Sequence, residues 1–400
     1  MRTTIPVAVV LAAALVGAAA PTTAAGASAA AAGDALERIR ASSVEAIQDA
    51  GELRDPTGST AAGSTAAPPG YETDRIAGAN RYITSALISR ATYLDASTVD
   101  DRLYFGQVVF VTTGQNYPDA LAAGPAAASL FGSILLVPSR GTVPTEVLDE
   151  ISRLHGESPP AGTAVVVLGS EDAVSDEVAW QVFAAAPGSP EKVRLAGKNR
   201  YDTAAKLAEF VVAWDESGDT PVPVDPDTVY LASGETYADA LAGGAAAAWE
   251  YAPLLLTQSG RLPAETEAAL RSGRYSTVKI LGSPATISDA VESRVRSVLP
   301  GADIVRYAGT NRFETAAMMN ADAFGEPDAE IHLASGINYP DALAVAPRVN
   351  LTWGPTVLTL PSCLPTASAD TIDALTPWMV TALGRSQTVS DAALAGTVCP

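Results

Sequence analysis

Short apolar runs recur along the chain beyond residue 71, and segments with a helical spacing of apolar residues separate them. One such run is VVFVTTG, and one such helical segment is YITSALISR, residues 82–90. The runs begin at Val108, Ile134, Val165, Val229, Leu254, Lys279, Ile331, Thr356 and Val380. Runs of this length that alternate with helices are typical of a parallel sheet flanked by helices. The pattern therefore predicts an α/β chain of Rossmann-like or flavodoxin-like units.

The same order of elements occurs three times. Each copy opens with R-x-A-G-x-N-R and an aromatic residue, starting at Arg75, Arg194 and Arg306. The first apolar run of each copy enters a nonapeptide, TGQNYPDAL, SGETYADAL or SGINYPDAL, starting at Thr113, Ser233 and Ser335. The third run ends in Leu-Gly, and a final helix follows it. Because the copies have the spacing of domains, we predict three tandem α/β domains in residues 71–192, 193–304 and 305–400.

The nonapeptide has the composition of a strand end, a glycine turn and a helix start. In each copy a residue that favours the N-cap position stands three residues before an aspartate: the pairs are Asn116 and Asp119, Thr236 and Asp239, and Asn338 and Asp341. The carboxylate would then lie at the third helical position, near the positive end of the helix. Pro118 and Pro340 suit a first helical turn, where no backbone N–H is required. We therefore expect a capped helix start.

These turns are also candidates for ligand binding, since ligands of open parallel sheets collect at the carboxyl ends of the strands. The aspartate already occupies the positive helix end, which favours polar contacts to a sugar over cradling of a phosphate. The second arginine of each opening motif is expected either to bind an anion or to pair with these aspartates. The candidate ligand-binding residues are Arg75, Asn80, Arg81, Asn116, Tyr117, Asp119, Arg194, Asn199, Arg200, Tyr237, Asp239, Arg306, Asn311, Arg312, Asn338, Tyr339 and Asp341.

Net charge and the N-terminal segment narrow the classes of function. The formal charge of −20 disfavours nucleic-acid binding, because most of the surface would repel phosphates. Residues 1–27 combine Arg2, an apolar stretch and an A-x-A pattern, which is typical of a secretory signal peptide. A short helix and a flexible linker are predicted in residues 28–70. Since no later run is long enough to cross a bilayer, we expect an exported protein that does not span the membrane.

The chain has two cysteines, Cys363 and Cys399. Outside the cell two otherwise idle thiols are expected to form a disulfide, and two buried free thiols are the alternative. A metal site is not predicted, since neither histidine, His155 or His332, belongs to a ligand-spaced cluster with a cysteine. No P-loop, nucleophile elbow or GxGxxG after a strand occurs in the sequence, and no cofactor is predicted.

At the R-x-A-G-x-N-R openings, the nonapeptides and the Leu-Gly strand ends, the sequence resembles the cell wall-binding repeat 2 family of Gram-positive surface proteins. The resemblance covers residues 71–400. It implies three Rossmann-like domains in a pseudo-threefold ring at the cell wall surface. It also implies non-covalent binding to an anionic secondary wall polymer of the teichoic-acid type, with peptidoglycan as the other candidate ligand.

Two further classes of function compete with a non-catalytic wall-binding protein. A wall-active hydrolase would use paired carboxylates, such as Asp119 with a neighbour, in one adapted repeat. A structural surface-layer component would assemble laterally. Because the Asp, Arg and Tyr positions are nearly equivalent in all copies, the sequence favours binding over catalysis. The third copy departs most: it is about ten residues shorter between Arg312 and Gly336, and it alone holds cysteines.

Overall fold

The computed structural model describes residues 70–93, 108–115, 118–156, 163–216, 225, 227–273, 275–325, 329–338 and 340–400. The predicted signal peptide, and the N-terminal helix and linker up to residue 69, lie outside the described residues. Three of the candidate ligand-binding residues, Asn116, Tyr117 and Tyr339, also lie outside them.

In the described part of the chain, parallel strands form three four-stranded sheets. The strands are β1 (Glu72–Ile76), β2 (Val108–Thr113), β3 (Ser133–Val137), β4 (Ala164–Leu168), β5 (Glu191–Leu195), β6 (Thr228–Ser233), β7 (Leu254–Thr257), β8 (Thr277–Leu281), β9 (Asp303–Tyr307), β10 (Glu330–Ser335), β11 (Thr356–Thr359) and β12 (Met379–Leu383). Sheet 1 has the order β3-β2-β4-β5, sheet 2 the order β7-β6-β8-β9, and sheet 3 the order β1-β12-β10-β11. Every predicted apolar run forms a strand, so the α/β fold of three parallel-sheet units is confirmed.

The fourth strand of each sheet comes from the opening motif of the next repeat. β5 and β9, which carry Arg194 and Arg306, pair with β4 and β8. β1, which carries Arg75, pairs with β12 at the other end of the chain and closes the series of sheets into a ring. The sequence divisions at residues 193 and 305 therefore fall inside β5 and β9. The apolar pattern did not predict these strands, because they lie at sheet edges and begin with exposed charged residues.

The helix after each opening strand packs against the next sheet. The described helices are α1 (Arg81–Thr92), α2 (Pro118–Leu121), α3 (Ala123–Ser129), α4 (Thr145–His155), α5 (Asp176–Ala185), α6 (Arg200–Glu216), α7 (Ala238–Trp249), α8 (Ala264–Ser272), α9 (Asp289–Val298), α10 (Arg312–Ala323), α11 (Val349–Thr352), α12 (Thr366–Leu375) and α13 (Asp391–Leu394). Ser85 of α1 accepts a hydrogen bond from the backbone N–H of Leu136 in β3, at 2.9 Å. The chain thus passes from sheet 3 to sheet 1 between β1 and α1.

Small residues bring the three units together at a common centre. Helices α3 and α7 meet there with the 3₁₀ turn Ala346–Arg348 of the third repeat. The buried residues of this contact are Ala128, Ala245, Ala248, Ala346 and Val349. At Gly124 a Cβ atom would lie 2.8 Å from the Cβ of Ala346, so the close approach requires glycine there. One contribution from each repeat around one centre agrees with the pseudo-threefold arrangement that the resemblance implied.

Sheet 3 departs from the other two at buried positions. Glu330, His332 and Arg348 are each at most 1% exposed. The corresponding residues of the first repeat are Val108, Phe110 and Ala126. Arg348 donates hydrogen bonds to both carboxylate oxygens of Glu330, at 2.9 and 3.1 Å, and another to the carbonyl of Ala91 in α1. A buried ion pair therefore replaces apolar packing, and its arginine connects sheet 3 to α1.

The third repeat is also shorter at its end, apart from the shortening between Arg312 and Gly336 that the sequence shows. Its last helix, α13, has four residues, whereas α5 and α9 have ten each. Beyond α13 the chain returns, and Val398 forms an isolated parallel bridge with Leu364. The neighbouring Cys363 and Cys399 form a disulfide across 36 residues. On the loop-entropy model such a bond stabilises the fold by about 4 kcal/mol.

Candidate ligand-binding junctions

Three segments meet wherever the chain passes from one sheet to the next. They are the nonapeptide and the Leu-Gly turn of one repeat and the opening motif of the following repeat. We call these places junction 1/2, junction 2/3 and junction 3/1, after the repeats that they join. The nonapeptide aspartates lie there against the glycines of the Leu-Gly turns; the pairs are Asp119 and Gly169, Asp239 and Gly282, and Asp341 and Gly384. A Cβ at Gly169 would lie 2.7 Å from the Asp119 carboxylate, so the turn accommodates the aspartate only because it has glycine.

The first arginine of each opening motif is bound within the protein. Arg194 donates to the carbonyl oxygens of Gly169 and Val174, at 3.0 and 2.9 Å. Its other Nη atom lies 3.0 Å from the Asp176 carboxylate. The corresponding partners are Gly282, Ile287 and Glu292 for Arg306, and Gly384 and Asp391 for Arg75. These arginines fasten each opening strand to the Leu-Gly turn of the preceding repeat.

The asparagine of each opening motif is an N-cap. The side-chain oxygen of Asn80 accepts hydrogen bonds from the backbone N–H groups of Tyr82 and Ile83, at 3.0 and 3.1 Å. Asn199 and Asn311 cap α6 and α10 with the same two bonds. An N-cap asparagine contributes about 1 kcal/mol to stability. The sequence motif predicts these residues as ligand contacts, and their role as caps was not predicted.

The second arginine of each opening motif begins the helix and reaches back to the nonapeptide turn. Arg81 Nη1 donates to the carbonyl oxygen of Gly114 at 2.5 Å. Arg200 and Arg312 donate in the same way, and over the same distance, to Gly234 and Gly336. The turn is a glycine because its neighbours leave no room: at Gly114 a Cβ would approach the side chains of Arg81 and Tyr82 to 2.9 Å. Each arginine thus presents its guanidinium group beside a strand end.

The aspartates face the opening motif of the next repeat across each junction. Burial raises the pKa of Asp119, while Thr203 and Arg200 act to lower it. Burial raises the pKa of Asp239 as well, with Arg312 acting against the rise. Each of these aspartates therefore interacts electrostatically with the second arginine of the next repeat.

Junction 3/1 follows the same pattern with one additional arginine. Burial raises the pKa of Asp341, and Arg81, Thr84 and Arg385 act in the opposite direction. Arg81 and Thr84 belong to the first repeat, whereas Arg385 follows the Leu-Gly turn of the third.

The expected N-caps of the nonapeptide helices are wrong where the structure describes them. Helix α7 begins at Ala238, and its N-cap is Tyr237 instead of Thr236, with no side-chain capping bond. Asp239 is accordingly the second helical residue. The hydroxyl of Ser233, the first residue of the nonapeptide, accepts hydrogen bonds from the N–H groups of the turn. N-cap propensity favours Thr236, but the N–H groups of the turn already donate to the hydroxyl of Ser233 at the end of the strand.

Asn338 is not an N-cap either. It precedes a 3₁₀ turn, Pro340–Ala342, and donates its backbone N–H to the hydroxyl of Ser335 at 3.0 Å. Its side chain instead lines the cavity of junction 3/1, which makes it available for a ligand.

Tyr237 connects the second and third repeats. Its hydroxyl donates to the carbonyl oxygen of Ile337, and the guanidinium of Arg312 lies 5.8 Å from its ring centroid. The tyrosine and the arginine, both predicted as ligand contacts, are thus brought together at junction 2/3. A cation–π contact of this kind favours this position of the arginine, by about 0.5–1 kcal/mol at an exposed site.

A cavity of about 230 Å³ opens at junction 3/1. It is lined by Gly78, Ala79, Asn80, Arg81, Thr84, Asn338, Pro340, Asp341, Arg385, Gln387 and Thr388. Four candidate residues of the sequence, Asn80, Arg81, Asn338 and Asp341, therefore share one concave site between the first and third repeats. The cavity combines guanidinium groups for anions with amide and carboxylate groups for hydroxyls. It has the chemistry to bind an acidic sugar or polyol.

No group of three or more His, Cys, Asp or Glu side chains that could hold a metal ion occurs among the described residues. Within those residues, no helix combines the length and the apolar character that crossing a bilayer requires.

Two curated relatives align with most of this chain. The N-acetylmuramoyl-L-alanine amidase LytC of Bacillus subtilis (strain 168) is 27% identical over 272 residues, which are 68% of this chain and 47% of the relative. The amidase enhancer of the same strain is 26% identical over 275 residues, which are 68% of this chain and 32% of the relative. The chain thus spans about half the length of the first relative and about a third of the second.

Solved structures share the fold. Cwp8 from Clostridium difficile superposes with a TM-score of 0.67 at 21% identity, covering 81% of this chain and 51% of that protein. Cwp6 from the same organism gives a TM-score of 0.68 at 20% identity, covering 86% and 50%. The sequence also matches the family described as cell wall binding domain 2 (CWB2) over residues 75–179, 194–292 and 306–394. Each matched segment runs from an opening motif to the helix after a Leu-Gly turn, and with all three repeats matched the chain belongs to the CWB2 family.

Proposed function

We propose that this protein is a non-catalytic wall-binding protein that attaches, without a covalent bond, to an anionic secondary polymer of the cell wall. Family membership supports wall binding. The repeated juxtaposition of an arginine and an aspartate at every junction is the observation that supports an acidic, hydroxyl-rich ligand. Export by the predicted signal peptide would bring the protein to the wall surface.

The binding contacts are assigned to a subset of the predicted residues. Arg81, Arg200 and Arg312 offer guanidinium groups for acidic groups of the polymer, since guanidinium forms paired hydrogen bonds with phosphate and carboxylate. The aspartates across the junctions accept hydrogen bonds from sugar or polyol hydroxyls. The first arginine and the asparagine of each opening motif stabilise the junctions through hydrogen bonds within the protein.

The acidity of the protein makes the proposed binding sensitive to salt. With a net charge of −20, most of the surface repels an acidic polymer, so attraction must be local to the junctions. Salt screens exposed charge pairs beyond about 8 Å at physiological ionic strength. Three similar sites on one long polymer would raise the overall affinity through simultaneous engagement.

Co-sedimentation of the full chain with purified Gram-positive cell walls, over a series of sodium chloride concentrations, tests the proposal. We expect the bound fraction to fall steadily as salt rises. One relative is named an amidase, so the hydrolase alternative is tested in the same tubes. The assay measures the release of new reducing ends or amino groups from the walls. Salt-independent binding contradicts the electrostatic contact, and product release contradicts the non-catalytic role. Peptidoglycan, the other candidate ligand, is distinguished by removing the polymer.

A further inference from the structure

The three junctions are built alike but differ in charge at the position after the Leu-Gly glycine. This position holds Ser170 at junction 1/2, Ser283 at junction 2/3 and Arg385 at junction 3/1. The next two residues at junction 1/2 are Glu171 and Asp172, both exposed. The Leu-Gly turn therefore adds a positive charge at junction 3/1 and negative charges at junction 1/2.

The nonapeptide turn beside the second arginine differs in the same sense. Arg81 contacts the turn that contains Gln115, whereas Arg200 contacts the turn that contains Glu235. Arg200 also contributes to the lowered pKa of Glu235, after the hydrogen bonds from Ser259, so the two charges interact. Arg200 thus has carboxylates on two sides, Asp119 and Glu235, while Arg81 has one, Asp341.

The helix start of the opening motif shows a third difference. The residue after its aromatic is Ile83 in the first repeat, but an acidic residue, Asp202 or Glu314, in the second and third. Lys198 adds a positive charge at junction 1/2. Its backbone N–H donates to the Asp202 carboxylate at 2.8 Å. Asp202 lies 3.4 Å from the Lys206 ammonium and Asp172 lies 3.9 Å from the Arg140 guanidinium, so these acidic charges are partly offset. Junction 3/1 still differs, because the residues that line its cavity include two arginines, Arg81 and Arg385, against one aspartate, Asp341.

Arg385 is held at the cavity. Its Nε donates to the carbonyl oxygen of Gly78, at 3.1 Å, and its side chain lines the same cavity as Arg81 and Asn338. Gly78 belongs to the opening motif of the first repeat, so the arginine connects the third repeat to the first. A guanidinium fixed in this way loses little conformational freedom when an acidic group binds.

We propose that junction 3/1 is the principal site for an acidic group of the wall polymer and that Arg385 gives this junction its preference for an anionic ligand. The inference rests on the proposed function and refines it. At the other two junctions Arg200 and Arg312 would contact acidic groups more weakly, since serine follows the Leu-Gly glycine at both. The ligand chemistry at junction 3/1 is a phosphate diester or a carboxylate carried on a sugar or polyol.

The test compares variants of the full chain on purified Gram-positive walls, before and after acid removal of the phosphate-linked polymers. Arg385→Ser places at junction 3/1 the residue that the other two Leu-Gly turns already have, so the fold should tolerate it. Arg385→Lys keeps the charge. Arg271→Ser, at a half-exposed ion pair on α8, removes the same charge away from the cavity.

We expect Arg385→Ser to bind intact walls about tenfold more weakly than the unaltered chain, the loss of one charged contact, with Arg271→Ser unchanged and Arg385→Lys partly restored. If Arg385→Ser binds as well as the unaltered chain while binding still requires the polymer, the inference is overturned and the proposed function stands. If the unaltered chain binds stripped walls equally well, or binds neither, the proposed function and the inference both fall. Equal losses in the serine and lysine variants, with lowered melting temperatures, would make Arg385 structural and also overturn the inference.

Discussion

Arg75 and Asp391 are 316 residues apart in sequence, yet the guanidinium of Arg75 lies 2.9 Å from the Asp391 carboxylate. The same arginine donates to the carbonyl of Gly384 at 2.7 Å. These bonds add to the parallel pairing of β1 with β12, which closes the ring of three sheets. The first strand of the described residues is therefore part of the sheet that the third repeat forms.

Breaking this closure should cost stability mainly through the buried carbonyl. We expect Arg75→Ala to lower the free energy of unfolding by about 2 kcal/mol, since a charge-assisted hydrogen bond is lost. Asp391→Asn should cost less than about 1 kcal/mol, because that carboxylate is half-exposed. Urea unfolding followed by circular dichroism measures both. Equal costs for the two variants would show that the ion pair, not the carbonyl contact, closes the ring.

The buried pair of Glu330 and Arg348 should behave as a unit. Arg348→Ala leaves a buried carboxylate without its partner, which is expected to cost about 3–5 kcal/mol. Combining it with Glu330→Val, the residue at the equivalent position of the first repeat, removes that carboxylate and should recover a large part of the loss. A double-mutant cycle in urea gives the coupling energy. Additive costs would contradict the account.

His332 makes the stability of sheet 3 sensitive to acid. Burial lowers the pKa of His332 from its ordinary value of 6.5 to about 4. Between these values the unfolded chain takes up a proton that the folded chain does not, so stability falls as the pH drops from 6.5 to 4, by roughly 3 kcal/mol in total. Glu330 also makes the folded state less stable as the pH falls. Burial acts to raise its pKa, but Arg348 and His332 lower the pKa below its ordinary value.

Replacing the histidine isolates its share of the acid response. In His332→Gln, the free energy of unfolding should depend less steeply on pH between 6 and 4.5. The decrease in slope should correspond to a difference of nearly one bound proton between the unfolded and folded states. Unfolding curves at several pH values measure the slope. An unchanged slope would mean that His332 titrates normally in the folded protein.

The centre of the ring should not accept larger side chains. Gly124→Val places a side chain against Ala346 of the third repeat and should destabilise the protein by about 1–3 kcal/mol through overpacking. Gly325→Val is the matched control, since a Cβ at Gly325 meets nothing within 4 Å. The measurement compares the melting temperatures of the two variants, and that of Gly124→Val should be the lower. Equal values would show that the units do not approach closely at Gly124.

The apolar pattern predicted the strands that lie inside the sheets, because such strands read as continuous hydrophobic runs. It did not predict β1, β5 and β9. Those edge strands begin with exposed residues and become buried only toward their ends, as in ETDRI, and their pairing partners belong to the preceding repeat. Nothing in a local pattern shows that a strand has crossed to another sheet.

The candidate site was predicted in composition more than in geometry. The nonapeptide aspartates and the second arginines do lie together, but across repeats. The asparagines of the opening motifs are helix N-caps, as Asn80 shows, and the Tyr237 hydroxyl donates to the carbonyl of Ile337. Arg385 was not singled out at all. Its signal was present in the repeats, as the one arginine where the other copies have serine, and comparison of copies position by position would have found it.

The measurement that tests the central claim most directly is co-sedimentation of the full chain with Gram-positive cell walls before and after acid removal of the phosphate-linked polymers. The account predicts binding to intact walls and a loss of binding when the polymers are removed. Undiminished binding to the stripped walls would contradict it and make peptidoglycan the ligand.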